Sequence, residues 1–486
     1  MLNNFFLISV QITDVIMRYT KLVFTLFLSI QVAMAQNVTE RINVALNKML
    51  LESSIKHATV SLFVLNSKTN EVVFDYNSEV GMAPASSQKI ITSITAYETL
   101  GNDFQFKTTL GYSGLIKNGT LNGNLIISGS GDPTMASWRY ATTKDTVILN
   151  RWIEAIKQVG ITKINGNVLL NSSAFSAQPV PGGWPWEDLG NYYGAGCWGL
   201  NWRENQFDLT IVPSKKEGEQ SSISSVKPSL PLKFSLINKV KTGKVNTDKE
   251  AYFYTAPYSS EGFVYGNIPL HSKPYTITCA MPNPINQLTD ALSLSLKNAN
   301  IRYDKIVNSI ELLQSNDTVA KADSIFNTYL SPPLDSINYW FLKKSVNLYG
   351  EALLKSIALS QAGEGTIEKG VHFVKQFWQD RGIEKSELHM IDGSGLSPSN
   401  RITTNALVTA LQYSRNKPWF PSFYYALPLF NNMKLKSGTM GGVKAFAGYH
   451  TSKAGTEYTV AMIVNDFDGT SADVTQKMFQ VLDELK

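Results

Sequence analysis

Cysteine and histidine are scarce in this chain, at two and five among 486 residues. No His-Glu-x-x-His or Cys-x-x-Cys spacing occurs, so the pattern predicts neither a zinc cluster nor another bound metal. No histidine stands in a partner context for Cys197 or Cys279, which argues against a thiol nucleophile. A disulfide between those two is left open, because two cysteines do not make a framework. Concentrated charge is missing too. The formal net charge is +5, and the basic stretches are no longer than Lys215-Lys216 and Lys343-Lys344. The clustered basic face that nucleic acid needs is therefore absent. The Gly-rich stretch Ser128–Thr134 is not followed by Gly-Lys-Ser/Thr, so no phosphate loop and no nucleotide cofactor are expected. Asp132 within it reads as structural.

Long apolar runs are also wanting. The one candidate, Leu22–Ile30, follows Arg18 and Lys21 and precedes Ala33-Met34-Ala35. A basic start, a short apolar stretch and small residues at a cleavage site predict a secretory signal peptide over residues 1–35. Met17 reads as the true start, with residues 1–16 an over-extension. A membrane anchor is the alternative, but the run is too short to span a bilayer comfortably. The expectation is an exported, periplasmic protein, free or loosely associated with membrane or wall.

What is present has ordinary globular character. Residues 58–66 alternate in β-rich fashion, Ser67–Asn70 reads as a turn, and Glu71–Tyr76 as the returning strand of a hairpin. Pro84-Ala85-Ser86 opens a helix in which Ile90, Ile91, Ile94, Ala96 and Leu100 recur at helical spacing, ended by Gly101. From about residue 100 to 330, short β-like runs are separated by Gly, Asn, Pro and Ser. After Pro332-Pro333 the pattern turns helical, then closes with strand signals and a last helix over 471–485, whose apolar side is expected to pack on a sheet. The fold class predicted is α+β, and the closing strands can complete a sheet begun by the first hairpin. That makes the middle a nested, β-rich insertion.

Ser86 and Lys89 form a Ser-x-x-Lys pair at the start of the apolar helix. The same spacing recurs at Ser53/Lys56, Ser224/Lys227 and Ser414/Lys417, so alone it means little. Only Ser86 opens a long apolar helix behind a proline. A serine hydroxyl needs a base to become a nucleophile. A lysine one turn on faces the same side, and serves as base if burial or a nearby cation draws its pKa down. Two further pieces fit. Ser345-Val346-Asn347 lies in a break between helical runs and offers a proton relay. Lys436-Ser437-Gly438-Thr439 offers a cation and hydroxyls for a carboxylate. Gly438 is expected to leave a strand edge bare for substrate, and Lys436 to depress the pKa of Lys89.

The ordered set Ser-x-x-Lys, Ser-x-Asn, Lys-Ser/Thr-Gly resembles that of penicillin-binding proteins and class A β-lactamases. Ser345 follows Lys89 by more than half the chain, a gap far longer than in β-lactamases of this type. With SGSGDPT (128–134), GWPWEDLG (183–190) and DGSGLSPSNRI (392–402), the chain resembles the class C low-molecular-mass penicillin-binding proteins, the D-alanyl-D-alanine carboxypeptidase/endopeptidase family. The resemblance covers essentially the whole chain after residue 35.

It implies a penicillin-binding transpeptidase/β-lactamase-like domain, an antiparallel sheet flanked by helices, in segments 36–99 and 331–486. A second domain (100–204 and 281–330) would interrupt it, with a nested β-rich third (205–280). The implied substrates are peptidoglycan stem peptides, cleaved as a D-alanyl-D-alanine carboxypeptidase and/or a D-Ala–meso-diaminopimelate endopeptidase, with β-lactam antibiotics as covalent inhibitors. Ser86 would be acylated, Lys89 would be its base, Ser345 and Asn347 would shuttle the proton and position the peptide, and Lys436, Ser437 and Thr439 would hold the carboxylate. The N–H groups of Ser86 and Thr439 would form the oxyanion hole. Asp188, Tyr193 and Met440 match positions that recognise the stem side chain. Two departures stand out. Ser437 replaces the commoner threonine, and Pro398 stands where some relatives carry a substrate-contacting arginine, with Arg401 three residues on. Trp184 and Trp186 read equally as core or as substrate wall, while Asp392 and Ser394 read as turn braces. A β-lactamase and a catalytically silent peptidoglycan-binding protein are the rival readings.

Overall fold

The computed structural model describes residues 38–314 and 321–486. The signal-peptide expectation falls on residues 1–35, outside that range. Among the described residues, no helix is long and apolar enough to cross a membrane.

A six-stranded antiparallel sheet joins the two ends of the chain. Its order is Leu429–Phe430, Met433–Met440, Val443–Thr451, Glu457–Asn465, Thr59–Asn66, Val72–Tyr76. The closing strands do complete the sheet of the first hairpin: Thr59 pairs with Asn465 and Asn66 with Tyr458. Side chains alternate between two faces along a strand, and both faces are covered. Phe63, Ala461 and Ile463 meet one helical layer containing Ile90, Ile94 and Leu353. Leu62, Val64, Val460, Met462 and Val464 meet the other, with Ile42, Leu46, Val474 and Met478. Burial on both sides explains why 458–464 is nearly unbroken in apolar residues rather than alternating. The final helix, Ser471–Leu482, packs on the sheet through Val474, Met478, Val481 and Leu482.

The helix Asn347–Ala362 is buried along most of its length and ends at Gly363, whose φ of 71° closes it in the left-handed conformation. It lies beside the helix Lys89–Leu100 in one core. That juxtaposition brings distant motifs together.

Between the ends, residues 107–330 build three more sheets. One contains Lys107–Lys117, Thr120–Gly129, Val168–Asn171, Ile306–Asn308 and Ser324–Leu330, with Lys163–Asn165 paired to Thr120–Gly129. Two three-stranded sheets share a core of Phe207, Leu209, Val240, Phe253 and Val264. The fold is α+β with β-rich insertions. Cys197 and Cys279 are free and buried in different cores, which closes the question of their pairing.

Candidate active site

Ser86 sits in a short 3-10 turn, Ala85–Gln88, ahead of the helix Lys89–Leu100. The turn is tight enough that Ala85 takes a φ of +44°, a region that costs an L-residue energy. Two glycines hold it there. A Cβ on Gly438 would lie 2.3 Å from Pro84 O, and one on Gly395 would lie 2.0 Å from Ala85 O. The bare face of Gly438 lets the strand Met433–Met440 press against the nucleophile's own turn. On that strand's outer side the register pairs only Lys434 and Met433, with Leu429 and Phe430.

Lys89 is fully buried. Its Nζ lies 2.9 Å from Ser86 Oγ, 2.6 Å from Asn347 Oδ1 and 2.6 Å from Ser394 O. The Asn347 amide is oriented by its Nδ2, which donates to Tyr193 O at 2.8 Å, so Oδ1 faces the lysine. Burial draws the Lys89 pKa down to about 7, against an upward pull from Asp392 and Glu351. Desolvation is thus the leading cause, ahead of the Lys436 charge that the sequence points to. The two buried lysines repel one another, and Lys436 is held well below its usual range first by its own burial, then by Lys89 and Lys444.

A neutral amine has two N–H donors and one lone pair. Asn347 Oδ1 and Ser394 O can only accept, so they take both donors. The lone pair is left for the Ser86 hydroxyl, the one partner of the three that can donate a proton.

Ser345 occupies the break between the helices Leu334–Lys343 and Asn347–Ala362, where its φ of +57° turns the chain. It lines a cleft of about 440 Å³ with Ser86, Asn347, Asp188, Tyr193, Thr439 and Met440. Lys436 is buried behind this wall, its Nζ donating to Ser437 O at 2.7 Å, and Ser437 is half-buried on the same strand. Met440 packs on Ala83, Ala85 and Val443. Across the cleft, Tyr193 OH donates to Asp188 Oδ1 at 3.0 Å. Partial burial raises the Asp188 pKa, and the tyrosine hydrogen bond opposes it.

The stretch 392–400 is a braced loop. Asp392 Oδ1 accepts from the N–H of Gly395 at 2.7 Å and Oδ2 from that of Ser397 at 2.7 Å. Trp184 Nε1 donates to Asp392 Oδ2 at 2.8 Å, which makes Trp184 a buried strut, whereas Trp186 is exposed. Asp132 likewise accepts from Thr134 in its own turn. Arg401 folds back on the carbonyls of Pro398 and Asn400, at 2.6 and 2.7 Å.

Three residues escaped the sequence reading. Glu351, fully buried, accepts from the N–H of Gly393 and is pushed up to about 8 by burial and then by Asp392. It stands one turn beyond Asn347, and a carboxylate on a mostly apolar helix, shared there with Lys355, is the available signal. Lys444 Nζ donates to Thr439 Oγ1 at 2.8 Å. Treating Gly441-Gly442 as a hairpin turn would have paired those two residues, as the register does. Arg139 lines the cleft and bonds the buried Glu204 at 2.8 Å, a contact that no local pattern signals.

A model of the D-Ala-D-Ala carboxypeptidase 3 (S13) family matches residues 42–485. The chain is 26% identical over 432 residues to the D-alanyl-D-alanine carboxypeptidase DacB of Haemophilus influenzae, covering 84% of this chain and 86% of that one. It is 24% identical over 476 residues to a D-alanyl-D-alanine carboxypeptidase of Actinomadura sp. (strain R39), covering 90% and 83%. The crystal structure of penicillin binding protein 4 from Haemophilus influenzae is similar with a TM-score of 0.78 at 23% identity, over 93% of this chain and 99% of that one. At that identity the likeness speaks for the fold.

Proposed function

This chain belongs to the D-Ala-D-Ala carboxypeptidase 3 (S13) family and is a serine-type D-alanyl-D-alanine carboxypeptidase of the penicillin-binding kind, and we propose that it acts through an acyl-enzyme on Ser86. The observation that carries this is the fully buried Lys89 amine lying 2.9 Å from Ser86 Oγ, its pKa drawn down to about 7 by that burial. Lys89 takes the hydroxyl proton as Oγ bonds to the carbonyl carbon of the penultimate D-alanine. The backbone N–H groups of Ser86 and Thr439 receive the developing oxyanion. The C–N bond then breaks, and the proton held by Lys89 passes through Ser345 to the departing D-alanine nitrogen. Water attacks the ester carbonyl carbon and gives a proton to Lys89, which returns it to Ser86 Oγ as the ester C–O bond breaks.

Thr439, Ser437, Lys436 and the neighbouring Lys444 supply hydroxyls and positive field for the terminal carboxylate. Asp188, with Tyr193 and Met440, faces the stem side chain, and its carboxylate suits an amine such as that of meso-diaminopimelate. A D-Ala–meso-diaminopimelate cross-link presents the same bond with a longer leaving group, so endopeptidase cleavage falls within this reading. A β-lactam acylates Ser86 by the same step, with its leaving nitrogen still tethered. The substrate lies outside the cytoplasmic membrane, and the signal-like segment 1–35 supports export; cell fractionation of the native protein checks it.

The test is intact-protein mass spectrometry after incubation with benzylpenicillin. An adduct on the wild type and none on Ser86→Ala is expected. An adduct on both would overturn the nucleophile. Rapid loss of the drug without an adduct would indicate a β-lactamase, and neither adduct nor turnover a silent binding protein.

A further inference from the structure

The Asp188 wall of the cleft continues outward into a surface of exposed rings. The sheet made of Glu250–Tyr254, Glu261–Pro269 and Ser235–Gly243 buries one face, with Ala251, Phe253, Val264 and Val240 in its core. The opposite face is largely exposed. Register places Tyr265 between Tyr252 and Lys239, and Phe263 between Tyr254 and Ile237. Tyr252, Phe263 and Tyr265 are 44%, 36% and 59% exposed. Trp186, itself half-exposed, packs at a tilt against Tyr254 and Phe263, with centroids at 5.1 and 6.2 Å.

This surface is joined rigidly to the cleft. Trp186 stands two residues ahead of Asp188 on the short helix Trp186–Leu189. Gly190, which ends that helix, lies so close to the sheet that a Cβ there would be 1.6 Å from Phe253 O. Tyr192 is exposed and edge-packed on Tyr193 at 5.3 Å, and Tyr193 holds both Asp188 and Asn347.

We propose that this face, formed by Trp186, Tyr192, Tyr252, Tyr254, Phe263 and Tyr265, binds the glycan strand to which the stem peptide is attached. The proposal rests on the carboxypeptidase reading for its substrate class. Contiguous exposed aromatic area of this kind marks a binding surface. Flat rings with polar edges suit the C–H faces of pyranose sugars, and Asn267 and Lys239 stand among them to bond N-acetyl amides. A polymeric substrate whose peptide enters the cleft must lay its backbone on the adjoining surface, and the rings begin at the cleft's own wall. Glu187, Glu250 and Glu261 are exposed in the same region, so the face lacks the basic excess that an anionic bilayer attracts.

The experiment uses the full protein, a triple variant Trp186→Ala/Tyr252→Ser/Tyr265→Ser, and a ring-keeping control Trp186→Phe/Tyr252→Phe/Tyr265→Phe. Each is sedimented with peptidoglycan sacculi stripped of peptide by an amidase, and assayed on intact sacculi and on a short D-alanyl-D-alanine peptide. Wild type and control should bind the peptide-free glycan. The triple variant should lose about tenfold in that affinity and in kcat/KM on sacculi, while keeping its rate on the short peptide and its penicillin adduct. Undiminished glycan binding by the triple variant would overturn the proposal. So would failure of the wild type to bind, a selective loss of binding to vesicles of anionic phospholipid, or a loss of self-association on removing the rings. Glycan binding does not require turnover. If the wild type binds glycan but shows neither hydrolysis nor a penicillin adduct, the carboxypeptidase reading fails and the surface stands.

Discussion

The two walls of the cleft are built on opposite principles. On one, Lys89 is fully buried, and its Nζ has partners from three segments far apart in the chain, Ser86, Asn347 and Ser394. On the other, Asp188 and Tyr193 share one hydrogen bond at 3.0 Å, flanked by exposed Trp186 and Tyr192. The first wall is dry and over-determined, which is what a base with a displaced pKa needs. The second is open and aromatic, which suits recognition. Damage to the first should destroy the rate on every substrate, and damage to the second should alter which substrates are preferred.

The largest break is expected from Lys89→Met, which keeps the length of the side chain and removes the amine. Acylation by benzylpenicillin, followed by mass spectrometry over time, should slow by roughly 10⁴-fold, the upper end of what a positioned general base contributes. Thermal stability should change little, because relief from burying an amine offsets the donors lost to Asn347 Oδ1 and Ser394 O. A loss under about tenfold would remove Lys89 from that role. Gly438→Ala should come next. The added methyl meets Pro84 O at 2.3 Å, and the turn carrying Ser86 must move. We expect about a 10²-fold slower acylation, since misplacement by about an ångström costs that much. Unchanged acylation would show that the strand does not clamp the turn.

That second case marks the boundary of what the sequence discloses. Helical spacing from Ile90 to Leu100 and alternation over 58–66 follow from local burial, so the nucleophile helix and the first hairpin were legible. The closing of that hairpin's sheet by 457–465 followed from strand signals left over at the far end. The three motifs were legible because their order is distinctive, not because any one of them is. The purpose of Gly438 was not, since it depends on Pro84, which approaches only through the fold. A depressed pKa for Lys89, by burial or by a cation such as Lys436, is legible from the motif; that burial leads is not, because the segments that enclose the amine meet only in the fold. Glu351 was missed for the same reason: its partner, Gly393, lies on another loop.

The pH dependence sharpens the comparison with a smaller effect. The Lys89 pKa falls from 10.5 to about 7 on folding, so the free base grows as pH rises toward 7 and saturates above it. The second-order acylation constant should therefore rise about tenfold from pH 6 to pH 8. A flat profile over that interval would mean that deprotonated Lys89 does not limit the step. Benzylpenicillin is the right probe, because it lacks the stem side chain and leaves the second wall silent.

The smallest expected change tests that second wall directly. Asp188→Asn keeps the shape of the side chain and its contact with Tyr193 but removes the charge. If Asp188 serves recognition alone, the variant should raise KM by about fivefold for a peptide with an amine-bearing third residue, the worth of one half-exposed ionic contact. The kcat should stay, and so should the rate of penicillin acylation. Matched peptides with and without the side-chain amine make the result decisive, since only the first should distinguish variant from wild type. The alternative runs through Tyr193, whose carbonyl accepts from Asn347. If loss of the charge shifts Tyr193, Asn347 turns with it and the Lys89 lone pair loses its aim. In that event penicillin acylation slows as well, and the two walls form one coupled unit rather than separate devices for rate and for choice.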